Sequence, residues 1–412
     1  MRILIVSQYF WPESFRINDL ALALKERGHQ VSVLTGFPNY PAGIVFEGYG
    51  WSSIGRSDYE GITLFRVPLF GRRQGRSWQL ALNYLSFVLS ASLLGPFLCR
   101  DKYDVIFVFE PSPFTVGIPA MLLRWLKKAP MIFWVQDLWP ESVVATGGIR
   151  SLRLVGLIGK MVRSIYRRCD RVLVQSRGFV EPAKVAGAPD GRIEYFPNWA
   201  EAIYRPVELE ASAPERVKFP NGFNILFAGN LGAAQSLETL ISAADKLRDE
   251  PDIHWLILGD GREKSWLREK ISELGLERTV HLLGRFPVEE MPRYFSLADL
   301  LLVTLRRDPI FTLTIPSKVQ SYLACGKPII GAINGEGAKV IEESGAGLAV
   351  PAEDSDALAE SVLKLYRLPS EKLEEMGKQG MVYYERNFNR DNLVRRLEKI
   401  MTEVRKEGLC ES

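Results

Sequence analysis

Three short segments of this chain bring together residue types that bind anions. Thr314-Ile315-Pro316-Ser317-Lys318 runs into the helical pattern Val319-Gln320-Ser321-Tyr322-Leu323-Ala324. Pro316 is expected to fix the start of that helix, Ser317 to cap it, and Lys318 to sit in its first turn. A cation there opposes the positive end of the helix dipole, unless a bound diphosphate reverses the local field. Gly229-Asn230-Leu231-Gly232 and Gly259-Asp260-Gly261-Arg262 each follow an apolar run and precede a helical one. Their glycines allow a backbone loop to approach a phosphate closely, and they serve an ordinary strand-to-helix turn equally well. Both readings stand. Asp137 and Glu110 each close an apolar run, with Glu141 just beyond the first. A carboxylate at a strand end accepts a proton from a hydroxyl, or caps the next turn.

The elements that must position these residues follow from periodicity. Ile3 to Val6 is an apolar run, Asn18 to Arg27 has helical spacing ending at Gly28, and Val31 to Leu34 resumes a strand, which makes a β-α-β unit. Strands are expected at Ile62–Val67, Val105–Phe109, Met131–Val135 and Arg171–Val174, with helices at Phe114–Leu126 and Leu152–Cys169. A second series begins at Asn224–Ala228. It continues with a helix at Leu237–Leu247, a strand at His254–Leu258, a helix at Glu263–Leu274 and strands at Val280–Leu283, Leu300–Val303 and Pro328–Ala332. The class is α/β, two Rossmann-like doubly wound parallel-sheet domains, with ligands at the carboxyl ends of the strands. The N-terminal domain is placed at 1–200, a proline-bearing linker at 201–222 and the C-terminal domain at 223–384. A helix over 385–412 is expected to pack back on the first domain.

A chain of 412 residues accommodates two such cores, and 47% hydrophobic with 25% charged residues is the composition of a folded globular protein. A net charge of +3 gives no signature of nucleic-acid binding. The four cysteines are scattered without a C-x-x-C pair, which suggests neither a zinc site nor a disulfide framework, and a reducing cytoplasm is expected. The apolar start, Ile3 to Val6, is short for a signal-peptide core.

Residues 77–99 contain no Asp, Glu, Lys or Arg, and are flanked by Arg72, Arg73, Arg76, Arg100 and Lys102. Asn83, Ser86, Ser90, Ser92 and Pro96 interrupt the run, and a span here would place two flanks of one domain on opposite sides of a bilayer. Two readings remain open. One is a core helix; the other is an interfacial helix within 72–102, with arginines on anionic lipid and Trp78, Leu82, Leu85 and Phe87 in the apolar layer.

Gly-Asn-Leu-Gly, Gly-Asp-Gly, Leu283-Gly284-Arg285-Phe286-Pro287 and the Pro-Ser-Lys helix, in this order, resemble the C-terminal domain of family 4 glycosyltransferases of the GT-B fold. Tyr9-Phe10-Trp11-Pro12-Glu13, Gly28-His29-Gln30-Val31 and Asp137-Leu138-Trp139-Pro140-Glu141-Ser142 extend the resemblance to the bacterial L-fucosamine transferase or colanic-acid-type subgroup of surface polysaccharide assembly. The resemblance implies two domains facing across a cleft and a retaining, metal-independent transferase without a cofactor. Its donor would be a UDP-sugar, such as a UDP-N-acetyl-6-deoxyhexosamine. Its acceptor would be a polyprenyl-diphosphate-linked saccharide on the cytoplasmic face of the cell membrane, where the protein is peripheral. It also implies a positive field on the leaving diphosphate from Lys318, Ser317, Arg16 of the first domain and Arg306 or Arg307. Phe286, Pro316 and Gln320 would complete the donor pocket with the two glycine segments, and Asp137 and Glu141 would serve the acceptor hydroxyl.

Some departures stand out. The positions of the family's spaced glutamate pair hold Leu313 and Ser321, and the usual Arg and Lys of the first loop of the second domain are replaced by Asn230 and Gln235. No histidine follows Val135, and His29, His254 and His281 have ordinary structural placements. Two other functions remain in view. A GT-B nucleotide-sugar 2-epimerase would exchange the C2 proton with solvent, and a non-catalytic sugar-binding protein would form no product.

Overall fold

The computed structural model describes residues 1–72, 77–145 and 151–410, so Arg73 and Arg76 of the basic flank lie outside the described residues. The chain divides into two compact units. Unit 1 is Met1–Pro197 with Asp391–Ser412, and unit 2 is Asn198–Arg390.

Unit 1 is built on β1 (Arg2–Val6), β2 (Gln30–Gly36), β3 (Gly55–Tyr59), β4 (Ile62–Val67), β5 (Val105–Glu110), β6 (Met131–Val135), β7 (Arg171–Val174) and β8 (Ile193–Tyr195). They form one sheet in the order β3-β4-β2-β1-β5-β6-β7-β8. Every pairing is parallel except β3 with β4. Helices cover both faces of the inner strands, so β5 and β6 are buried along their whole length and read as unbroken apolar runs. The antiparallel edge strand β3, Gly-Arg-Ser-Asp-Tyr, is largely exposed and carries no apolar pattern, and periodicity did not find it.

Unit 2 repeats the plan with β9 (Phe223–Ala228), β10 (Ile253–Leu258), β11 (Val280–Gly284), β12 (Leu300–Thr304), β13 (Ile329–Ala332) and β14 (Gly347–Val350) in the order β11-β10-β9-β12-β13-β14, all parallel. Strand order reverses beside β1 and β5 in the first sheet and beside β9 and β12 in the second. Loops diverge at such points and leave a crevice beyond the carboxyl ends of the strands.

The segment 201–222 is not a free linker. Glu215 is buried against Arg293 at 2.5 Å, and the Lys218 ammonium donates to Tyr294 Oη at 2.9 Å, which fastens the segment to unit 2. Unit 2 also retains the helix Ser370–Asn387. The chain rejoins unit 1 at Asp391, where the C-terminal helix Arg390–Cys410 buries Val394, Leu397, Met401 and Val404. Glu398 of that helix bridges Arg27 at 2.7 Å and His29 at 2.8 Å, and Glu407 meets Arg171 at 2.8 Å.

The charge-free stretch forms one helix, Ser77–Leu98, whose two faces differ. Asn83, Phe87, Ala91 and Gly95, four residues apart, point into unit 1. A side chain at Gly95 would lie 3.1 Å from Leu34, so its absence lets the helix approach β2. Trp78, Leu82, Leu85, Leu89, Leu93 and Phe97 form an outward stripe, each between 39% and 68% exposed. The helix is long and apolar enough to cross a membrane, yet it is one layer of the folded unit. Phe87, expected among lipid-facing residues, is instead fully buried.

Candidate functional site

In unit 2, the loops following β9, β10 and β11 and the start of the helix Ser317–Ala324 enclose a cavity of about 940 Å³. Gly229, Asn230, Gly259, Asp260, Phe286, Ser317 and Lys318, all expected at the donor site, line it.

Lys318 is the one lining residue whose charge is both enclosed and unneutralised. Its ammonium donates to Gln235 Oε1 at 2.5 Å and lies 3.7 Å from the centre of the Phe227 ring. Among the described residues no carboxylate pairs with it. Burial pushes its pKa from 10.5 down to about 7. Gly229 makes room for it, since a Cβ there would stand 2.6 Å from Lys318 Cε and 2.7 Å from Nζ.

Three N–H groups of the two glycine segments are used within the protein. The Gly229 N–H donates to Leu258 O at 2.9 Å, the Gly259 N–H to Gly284 O at 2.8 Å, and the Gly261 N–H to Asp260 Oδ1 at 2.8 Å. A Cβ at Gly259 would fall 1.9 Å from Gly229 O, and one at Gly261 2.2 Å from Leu231 O. These glycines let two loops of the protein pack backbone to backbone, and their N–H groups are consumed inside it. Gly232 lies outside the cavity wall. Asp260 is at the exposed rim, where Lys264, 3.1 Å away, holds its carboxyl below the ordinary range.

Other expectations are corrected by packing. Pro316 is the N-cap residue and Ser317 the first helical one, so Ser317 lines the cavity without capping. The Pro316 ring packs toward Gly337, where a Cβ would meet it at 2.8 Å. Gln320 is buried, donates to Asn198 O at 2.8 Å and lies off the cavity wall. Arg306 turns outward to Glu238 at 3.4 Å and Arg307 donates to Ala352 O at 3.0 Å; neither lines the cavity. Tyr204 and Glu201, which no motif had singled out, do line it, as does Arg285 of the Leu-Gly-Arg-Phe-Pro segment. Phe286 is held from behind by Lys218, whose ammonium lies 3.8 Å from its ring centre.

In unit 1, Asp137 and Glu110 follow β6 and end β5, beside the point of strand reversal. The Asp137 N–H reaches Glu110 Oε2 at 3.4 Å. Burial, and then the charge of Asp137, raises Glu110 well above the ordinary carboxylate value, and burial pushes Asp137 up to about 6. The ring of Tyr84, from the long helix, meets Trp139 edge-on at 6.4 Å, and the charges of Asp137 and Glu110 reach the Tyr84 hydroxyl. Glu141 is exposed at the start of the short helix Glu141–Ala145, and Arg16 begins the helix Arg16–Glu26. Arg72, expected on lipid, instead lies over the Tyr40 ring at 4.8 Å. Among the described residues no cluster of His, Cys, Asp or Glu has the arrangement of a metal site.

Residues 14–199 match the family described as glycosyl transferase 4-like domain, and residues 210–382 match glycosyl transferases group 1. The chain belongs to the GT-B glycosyltransferases. This glycosyltransferase is 27% identical to a protein of Escherichia coli (strain K12) named for colanic acid biosynthesis, the glycosyl transferase WcaI, over 96% of this chain and 98% of that one. Its fold matches that of sucrose-phosphate synthase from Thermosynechococcus elongatus at a TM-score of 0.72 and 17% identity, covering 98% of each chain. It also matches Anabaena HepE, solved with UDP and glucose, at a TM-score of 0.65 and 17% identity, covering 97% of this chain and 99% of that one. Within this glycosyltransferase, Lys318 is an enclosed cation on the wall of the unit 2 cavity.

Proposed function

We propose that the protein is a retaining glycosyltransferase of surface polysaccharide biosynthesis that takes its sugar from a UDP-sugar held in the unit 2 cavity. One observation carries this reading: an enclosed ammonium, Lys318, faces that cavity beside a neutral amide and an aromatic ring, with no carboxylate paired to it among the described residues. A desolvated charge without a counter-ion is costly, and a diphosphate supplies the missing anion. As the glycosidic bond breaks, negative charge grows on the departing phosphate, and a fixed cation there stabilises the transition state more than the ground state. The protein itself supplies this field, so the reading calls for no metal and no cofactor. Phe286 offers an apolar wall for the base, and Glu201 and Arg285 polar groups for the sugar or ribose.

A UDP donor is supported by HepE, which was solved with UDP, and the polysaccharide role by the relative named for colanic acid biosynthesis. An N-acetyl-6-deoxyhexosamine as the sugar follows from the motif resemblance of the sequence. In unit 1, Asp137, whose N–H reaches Glu110, receives the acceptor, a polyprenyl-diphosphate-linked saccharide. The outward stripe of the Ser77–Leu98 helix rests on the cytoplasmic membrane surface, with Arg100 and Lys102 beyond its end at the anionic headgroups.

Lys318→Ala should lower turnover with UDP-sugar by about 10²–10³, the loss typical of removing one preorganised group from a developing oxyanion. The melting temperature should stay close to that of the wild type. Wild-type turnover in a folded variant would overturn the assignment.

A further inference from the structure

Two arginines of unit 1 lie within a few residues of each other and differ in how their donors are used. Arg66, on β4, is buried and donates to Trp11 O at 2.5 Å and Gly36 O at 3.5 Å, with Glu13 as a nearby countercharge. It is a structural arginine whose bonds tie β4 to the end of β2 and to the loop after β1. Arg72 is not satisfied in this way. One of its terminal nitrogens reaches Pro41 O at 3.4 Å, its Nε–H is enclosed without an acceptor, and among the described residues no carboxylate pairs with it.

The guanidinium is nevertheless held in place. Its carbon lies 4.8 Å from the Tyr40 ring centre and 5.9 Å from that of Tyr9. The preceding Gly71 presses against the loop of Gly43, where a Cβ would come within 2.6 Å of Gly43 O. Tyr9 follows β1, beside the strand reversal, and Tyr84 lies close enough for the charge of Arg72 to act on its hydroxyl. A planar cation fixed on aromatic faces, with donors left over, is suited to the paired oxygens of a phosphate. It stands near the carboxyl-end crevice that holds Asp137 and Glu110, and near Tyr84 of the helix whose outward face is apolar.

We propose that Arg72, walled by Tyr40 and Tyr9, binds the diphosphate of an isoprenyl-diphosphate-linked acceptor. This deepens the transferase reading above and rests on it for the word acceptor. The phosphate takes the terminal guanidinium N–H groups that the fold leaves open. The chain of the lipid runs from there along the outward apolar face of the long helix. The saccharide extends toward Asp137. Arg72 is thus an acceptor-binding residue, and Lys318 is unaffected by its loss.

The test is calorimetric titration with geranyl diphosphate in the presence of saturating UDP, which fills the unit 2 cavity. The wild type should bind the probe. Arg72→Gln should weaken binding about tenfold or more, the scale of a lost charge-assisted hydrogen bond, and Arg72→Lys less, while UDP affinity is unchanged in both. Geraniol, which lacks phosphate, should bind equally weakly to all three proteins. Wild-type affinity for geranyl diphosphate in Arg72→Gln would overturn the proposal. It would also fall if the variant lost binding to phosphatidylglycerol vesicles and kept geranyl diphosphate, because the arginine would then read the bilayer. Failure of UDP to bind the wild type would sink the donor reading alone, since the titration with geranyl diphosphate can be repeated without it.

Discussion

An ammonium with a pKa of about 7 is half-charged in neutral solution, and this gives Lys318 a measurable signature. A diphosphate beside it favours the charged form, so above pH 7 binding UDP must draw a proton from solvent. UDP affinity is therefore expected to be level below about pH 7 and to weaken as pH rises beyond it. Calorimetry near pH 8 in buffers of different ionisation enthalpy should show proton uptake in the wild type and none in Lys318→Gln. The stability effect has the opposite trend. The unfolded lysine keeps its proton up to about 10.5, so the unfolded state binds more protons between 7 and 10.5 and stability rises with pH across that window. The position of Lys318 at the start of a helix could be read from Pro-Ser-Lys alone. Its partner Gln235, 83 residues away, appeared in the sequence only as a departure from the family.

At the scale of the element, the loops after β9 and β10 behave as one piece. Leu231 N–H donates to Asp260 O at 2.9 Å, Glu263 N–H returns to Leu231 O at 3.0 Å, and Gly259 rests on the Gly229 carbonyl. Gly259→Ala should destabilise unit 2 by more than about 1 kcal/mol, because its φ of +153° disfavours a side chain and the added carbon meets backbone rather than a movable group. Urea unfolding measures the loss, and UDP affinity should fall with it, since Gly229 covers Lys318. An unchanged midpoint would show that the loops can separate without cost. Glycines at a strand end look the same in sequence whether a phosphate or another loop comes close. The segments were therefore legible as close-approach sites, and the identity of what approaches was not.

At the scale of the whole molecule, the long helix Ser77–Leu98 belongs to the core of unit 1 on one side and is offered to the surroundings on the other. Replacing Trp78, Leu85 and Leu93 together by Asp should abolish sedimentation with phosphatidylglycerol vesicles and leave the melting temperature nearly unchanged, because these side chains are exposed. Persistent sedimentation would remove this face as the membrane contact, and a change of oligomeric state in the variant would identify it as an interface between copies of the chain.

Most of the strands and helices, though not the edge strands β3, β8 and β14, the α/β class, the lysine at a helix start and the charge-free helix were legible in the sequence. They depend on backbone stereochemistry and on the period at which apolar residues recur, which act over one or two turns of chain. The outward face of the long helix, the carbonyls that take the glycine N–H groups, the attachment of 201–222 to unit 2 and the stacking of Arg72 on Tyr40 were decided by tertiary packing. Each joins residues distant in sequence, and which of many compatible partners meet is determined only when the two cores close.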